Sequence, residues 1–254
     1  VSKVRLDALL VARSLADSRA RAQAIILSGN VLVAGARVDK AGALVAPDAH
    51  IEVRGPEHPY VSRGGVKLAG ALDAFGLDVR GLACLDVGAS TGGFTDCLLQ
   101  RGAARVVAVD VGYGQLAHKL RVDSRVVVIE RTNARTLTPE SFGGPADLTV
   151  VDASFISLGT LVAALARCTR EGGELVALVK PQFEVGREVA SKGKGVVHDP
   201  ETRSRAVAAA RDAVAAGGFE VVAECDSALP GPKGNVEAFL RARRSVRGTP
   251  PSLL

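Results

Sequence analysis

Apolar positions along the chain change period near residue 54. Before it, Val4, Leu6, Leu9, Leu10 and Ala12 fall on one helical face. SRARAQAIILS (18–28) repeats that period, with Asp17 or Ser18 at its start and Gly29 at its end. Short alternating runs follow: NVLVAG, RVDKAGALV and HIEVR. RGPEHPYV (54–61) reads as a linker from its Pro and Gly. Beyond it, helical periods alternate with short continuous apolar runs. Helices are predicted at VKLAGALDAFG, FTDCLLQRG, LGTLVAALARC and TRSRAVAAARDAVAAG. Strands are predicted at LACLDV, RVVAVD, RVVVIE, DLTVVD, ELVALV, FEVVAECDS and VEAFLRA. RRSVRGTPPSLL reads as a frayed tail.

This alternation predicts an α/β fold: a doubly wound, Rossmann-like, mainly parallel sheet. The connection ALPGPKGN is too short for a crossover, so the last strand should run antiparallel. The expected organisation is a small N-terminal α+β domain (1–53), a linker (54–61), a larger domain (62–243) and a tail (244–254).

Composition narrows the partners. The net charge is +5 and the pI about 9.2, which suits an acidic partner such as nucleic acid. In the first 31 residues Lys3, Arg5, Arg13, Arg19 and Arg21 stand against Asp7 and Asp17. Arginine suits bidentate phosphate contacts. The cysteines Cys84, Cys97, Cys168 and Cys225 are scattered, which predicts reduced thiols and no metal site. No apolar run approaches the roughly 20 residues of a membrane span. No signal-peptide core is apparent. A cytoplasmic protein is therefore expected.

The densest chemistry lies in LDVGASTGGFT (85–95). It reads as a strand, a glycine turn and a helix start, with Gly88, Gly92 and Gly93 allowing close backbone approach to a ligand. Asp110 closes the next strand, where a carboxylate can grip ribose hydroxyls. The spacing D-x-G-x-x-x-G is not that of a nicotinamide-binding loop, and resembles the first motif of S-adenosylmethionine-dependent methyltransferases. Asp86, Gly88, Ser90, Thr91, Gly92, Asp110 and Asp152 are the candidate donor-binding residues, with Asn133 placed to touch the donor adenine.

Ligands in open α/β sheets bind outside the carboxyl ends of the strands. Asp86, Asp110, Asp152 and Lys180 end strands. Glu237 opens the antiparallel strand, and Lys67 lies early in the helix before the first strand, so both reach the same edge. Lys67, Asp152, Lys180 and Glu237 match the Lys-Asp-Lys-Glu tetrad of FtsJ-like ribose 2′-O-methyltransferases. The strings SRGGVKL, VVDASFISL, LVKPQFEVG and GNVEAFL resemble the TlyA family. Residues 4–53 carry R-L-D-x-x-L, S-R-x-x-A and S-G-x-V-x-V-x-G, and resemble the S-four-type RNA-binding domain that this family couples to its methyltransferase.

The resemblance implies methyl transfer from S-adenosylmethionine to the ribose 2′-hydroxyl of a cytidine in ribosomal RNA, with ribosomal RNA or subunits as partners. A ribose hydroxyl is a poor nucleophile and the donor an activated electrophile. The enzyme must therefore align the reacting atoms and favour the developing alkoxide. Lys180 is assigned that role, electrostatically or as a base, and Lys67 the orientation of the ribose. Asp152 and Glu237 fix the lysines. RNA contacts are expected from Arg5, Arg19, Arg21, Arg63 and Arg187. The 19 residues of 181–199 read as a loop at the active edge, a lid with Arg187, Lys192 and Lys194 facing phosphate. Phe155 could stack on a target base, but reads at least as readily as a core residue. Rival readings are a base methyltransferase, which would need N-P-P-Y or a cysteine nucleophile where Asp152-Ala153-Ser154-Phe155 stands, and a non-enzymatic RNA-binding or haemolysin-like protein.

Overall fold

The computed structural model describes residues 3–16, 18–27, 29–54, 58–185, 195–231 and 234–246. The chain divides between Pro59 and Tyr60 into two compact units.

In the first unit, β1 (Val4–Arg5) leads into α1 (Leu6–Ala12), followed by α2 (Arg19–Leu27). Then come β2 (Val31–Val33), β3 (Ala36–Arg37), β4 (Leu44–Val45) and β5 (Ile51–Val53). β2 is the centre of an antiparallel sheet between β3 and β5, and β1 pairs with β4. Leu6, Leu10, Ala22, Ile26 and Val31 form a fully buried core. Ser18 caps α2, its hydroxyl accepting from Arg21 N at 3.2 Å; Asp17, the alternative cap, lies outside the described residues. Val4 does not join the helical face predicted for it. The first amide groups of α1 donate instead to the 41–43 loop, Leu6 N to Ala43 O at 2.8 Å and Asp7 N to Ala41 O at 3.2 Å. Those bonds begin the helix at Leu6 and leave Val4 paired with Val45.

The second unit is a seven-stranded sheet. Its elements are α3 (Arg63–Ala74), β6 (Ala83–Val87), α4 (Gly93–Gln100), β7 (Arg105–Val109), α5 (His118–Arg121) and β8 (Val126–Ile129). They continue with β9 (Ala146–Val151), α6 (Val162–Cys168), β10 (Thr169–Val179), α7 (Pro181–Glu184), α8 (Pro200–Ala216), β11 (Phe219–Asp226) and β12 (Ala238–Arg244). Strand order is β11-β12-β10-β9-β6-β7-β8. β12 runs antiparallel to both neighbours, and the other pairings are parallel. Alternate strand residues feed opposite layers. Leu85, Val107 and Leu175 pack with Leu165, Val207 and Val214 of α6 and α8. Val106, Leu148 and Val176 pack with Leu68, Leu72 and Leu98 of α3 and α4. Apolar residues on both faces give the continuous runs expected of strands covered on both sides.

The structure corrects three boundaries. α5 stands between β7 and β8, where the sequence showed no helix. It has only one turn, after Gly112 and Gly114, and is held by buried Leu120. Pro181–Glu184 is helical, so the predicted loop begins later; residues 186–194 lie outside the described ones. Arg243 and Arg244 belong to β12 and not to a frayed tail: Arg243 reaches Glu174 at 3.2 Å and Ser245 N donates to Gly218 O at 3.0 Å.

Candidate active site

Sheet register brings the site together. Val87 pairs with Val109 and Val151, Ala177 with Val151, and Val179 with Ala238. Gly88, Asp110 and Asp152 follow directly on these pairs, β10 runs two residues further before Lys180, and Glu237 precedes Ala238 on the antiparallel strand, so all five emerge at one edge. Asp152 N donates to Val87 O at 2.9 Å and Asp110 N to Ile129 O at 3.0 Å, so the ladder carries both acids one step past their strands.

The glycine loop turns at this edge. Gly88 has φ +85°, and a Cβ there would lie 2.5 Å from Asp152 O. Only glycine meets both demands. Asp110 is gripped at both oxygens, Oδ2 by Ser90 N at 2.8 Å and Oδ1 by Gly112 N at 2.7 Å. It lines a narrow cleft with Ala89, Ser90, Gly112, Gln115 and Val128. The Ser90 hydroxyl donates to Gln115 Oε1 at 3.2 Å. Thr91 is exposed, its carbonyl accepting from Ala117 N at 3.1 Å, and Gly92 is the N-cap of α4.

Asp86 lies beneath the loop and is fully buried. Thr95 Oγ donates to its Oδ2 at 2.6 Å, while Oδ1 has no partner among the described residues. Burial, and then the carboxylates of Asp152 and Asp110, push Asp86 up to about 7 against the pull of Thr95. Asn133 Oδ1 accepts from Arg135 N at 3.1 Å and caps a 3-10 turn, so only its amide end remains for an adenine. A cleft with a braced carboxylate for ribose hydroxyls, beside a glycine turn that allows close backbone approach, fits a nucleoside-containing donor.

The tetrad forms two ion pairs. Lys67 Nζ, in the second turn of α3, donates to Glu237 Oε2 at 2.5 Å, with side chains 9% and 0% exposed. Lys180 pairs with Asp152 Oδ1 and donates to Ser154 Oγ at 2.8 Å. Gly231 crowds Glu237, since a Cβ there would stand 2.6 Å from Oε1. A buried ion pair such as Lys67–Glu237 is a weak contributor to stability, so its place beside the partly exposed Lys180–Asp152 pair at one edge points to chemistry.

Several participants were not foreseen. Ser154, two residues after Asp152, shares Lys180. Glu184 accepts from Leu158 N at 2.8 Å and ties the segment after Lys180 to the segment after Asp152. Burial raises the Glu184 carboxyl above its ordinary value. Phe155 is not a core residue: it is 91% exposed, with φ +66°, its ring 5.2 Å from that of Phe183. Asp-Ala-Ser-Phe directly after a strand was the available signal for both Ser154 and Phe155.

The basic residues divide. Arg5 and Arg19 are both engaged by buried Asp7. Arg13 donates to Ala49 O at 2.6 Å and to Pro47 O at 2.5 Å, a structural tie. Arg21 is exposed. Arg63 is exposed and donates to Pro230 O at 3.1 Å. Arg187, Lys192 and Lys194 lie outside the described residues. Burial pushes the Cys84 thiol up to about 12, and Cys97 and Cys168 up to about 11, which disfavours their thiolate forms.

Comparison with known proteins places the chain in a family. Residues 60–244 match the FtsJ-like methyltransferase model, and residues 4–51 match the S4 domain. Over 242 residues the chain is 52% identical to the 16S/23S rRNA (cytidine-2′-O)-methyltransferase TlyA of Mycobacterium tuberculosis, covering 95% of this chain and 90% of that one. The chain belongs to the TlyA family of FtsJ-like methyltransferases. A second relative, Hemolysin A of Brachyspira hyodysenteriae, is 41% identical over 92% of this chain and 97% of its own. A solved structure from Streptococcus thermophilus, named a hemolysin, is 39% identical, covers 96% of this chain and 89% of its own, and superposes with a TM-score of 0.75. Membership makes this chain a methyltransferase with S-adenosylmethionine as its donor. Among the described residues no helix is long and apolar enough to cross a membrane.

Proposed function

We propose that this protein methylates the ribose 2′-hydroxyl of a cytidine in ribosomal RNA, acting on ribosomal subunits in the cytoplasm. The observation that carries this reading is Lys180, held by Asp152 and Ser154 at the sheet edge beside the Gly88 loop. Base chemistry would call for other groups there. The name of the M. tuberculosis relative supports cytidine as the target.

Asp110 would hold the donor ribose, with Ser90, Thr91, Gly88 and Gly92 forming the loop and the amide end of Asn133 meeting the adenine. When bound, S-adenosylmethionine supplies a methyl group activated by its sulfonium. Lys180 would stabilise the 2′-oxygen as the oxygen takes the methyl and its proton passes to solvent water, a role for which a cation held in place is pre-organised. Asp152 and Ser154 hold Nζ in place. Lys67, braced by Glu237, would orient the target ribose. Phe155 offers an exposed face on which a base can stack. The S4 unit, through Arg5, Arg19 and Arg21, would grip phosphates and set the register on folded RNA, with Arg63 adding a contact from the methyltransferase unit.

The decisive experiment compares the protein with its Lys180→Ala variant on ribosomal subunits, reading the product by nuclease digestion and mass spectrometry. Methyl on the 2′-oxygen of cytidine, lost in the variant with donor binding retained, is expected. Methyl on a base atom, or an active variant, would overturn the reading.

A further inference from the structure

Asp7 is the most thoroughly engaged side chain in the first unit, and it is 0% exposed. Its Oδ1 accepts from Arg5 Nε at 3.0 Å and Ala8 N at 2.9 Å. Its Oδ2 accepts from Arg5 Nη2 at 2.8 Å, Arg19 Nε at 3.2 Å and Gln23 Nε2 at 2.9 Å. One buried carboxylate thus faces two guanidinium groups whose side chains remain 46% and 59% exposed. The hydrogen bonds from Arg5, Gln23 and Arg19 hold the Asp7 carboxyl well below the ordinary carboxylate range, so it stays charged.

The orientation matters more than the pairing. A guanidinium carries five N–H donors in a planar fork. Arg5 spends its Nε side on Asp7, and Arg19 spends only Nε. Among the described residues, nothing else accepts from Arg5 Nη1 or from either terminal nitrogen of Arg19. The cluster retains a net positive charge, two guanidiniums against one carboxylate. Two long side chains that would otherwise lose rotamer freedom on binding are already fixed.

We infer that Asp7 is a positioning residue that sets Arg5 and Arg19 as one two-pronged clamp for an RNA backbone phosphate. This rests on the proposed reading of these arginines as RNA contacts. It also predicts something that charge counting does not. Removing the acid adds one positive charge to an RNA-binding face, which by electrostatics alone should tighten binding. Loss of the brace should weaken it.

The test uses the full chain and a folded ribosomal RNA transcript, with affinity read by fluorescence anisotropy across a salt series and folding by circular dichroism. Arg5→Ala and Arg19→Ala should each weaken binding about tenfold, which is one charge-assisted contact. Asp7→Asn should also weaken it about tenfold, and in that background Arg5→Ala should cost less than twofold more. Binding as tight as the parent, or tighter, in folded Asp7→Asn would overturn the inference. If Asp7→Asn fails to fold, Arg5→Lys and Arg19→Lys decide. A lysine keeps the charge, but its single ammonium is captured by Asp7, so each should bind like the alanine variant. Parental affinity in both lysine variants would overturn the inference. Unchanged affinity in both alanine variants would remove the RNA-contact reading beneath it, and the inference with it.

Discussion

Lys67 and Glu237, 170 residues apart in sequence, meet at 2.5 Å as a buried ion pair that joins the second turn of α3 to the start of β12. Neither charge has much water to fall back on. Removing one partner leaves the other buried and unpaired, at a cost of about 3–5 kcal/mol, while replacing both with apolar groups of similar volume is close to neutral. Lys67→Met and Glu237→Leu should therefore each destabilise the protein by several kcal/mol in urea unfolding, and the double variant should recover most of it. All three should lose methyl transfer. A double variant that transfers methyl groups would show that the pair is structural.

Asp110 is a donor-site prediction with its own control. Asp110→Ala should weaken S-adenosylmethionine binding about a hundredfold in calorimetry, through loss of charge-assisted bonds to two hydroxyls. Asp110→Asn retains an acceptor for one of the two backbone amides now held, Ser90 N and Gly112 N, and should fall between parent and alanine. Equal affinity in all three would place the donor elsewhere.

Asp86 makes stability depend on pH. Its folded value is about 7, against about 3.8 for an ordinary aspartate. The folded state therefore holds a proton that the unfolded chain has released, and stability must fall as pH rises from about 4 to about 7, then level off. The full span is of order 4 kcal/mol. Asp86→Asn has no proton to lose and can still accept from Thr95. Its unfolding free energy should gain on that of the parent between pH 5 and pH 8. Parallel pH profiles of the two proteins would contradict this.

Residues 1–59 should be dispensable for the donor and required for the RNA. A chain beginning at Tyr60 should bind S-adenosylmethionine like the parent yet fail to methylate ribosomal subunits. In the full chain, Arg21→Ala should reduce the salt slope of RNA binding by about 0.9, the value of one phosphate contact. Equal methylation of subunits by the full and shortened proteins would contradict the targeting role.

Much of this was legible in the sequence because strands buried on both faces announce themselves as short apolar runs. All seven strands of the large sheet overlap the runs LACLDV, RVVAVD and the others, with β10 beginning earlier than ELVALV, at Thr169. The antiparallel sense of β12 followed from a connection too short to cross over. The tetrad edge was legible for the same reason: a residue that ends a parallel strand has its position fixed by register. What escaped was set by contacts distant in sequence. Whether Lys67 pairs with Glu237 or Asp152 is not a matter of spacing. Nor could the R-L-D motif tell that Asp7 would be buried under two arginines. α5 is one turn, too short for a period to show. The exposure of Phe155 follows from a left-handed backbone that no pattern of apolar residues announces.

β12 enters the sheet between β10 and β11, both of which precede it in the chain. The two earlier strands cannot close on each other without excluding it, and it carries Glu237 to the edge. During synthesis the S4 unit is complete long before this strand leaves the ribosome, and domains tend to fold in the order they emerge. A nascent chain can thus acquire its grip on RNA while its catalytic edge is still one strand short. Premature termination after the first unit but before β12 would yield a binder with no chemistry, a competitor for the very sites the finished enzyme must modify.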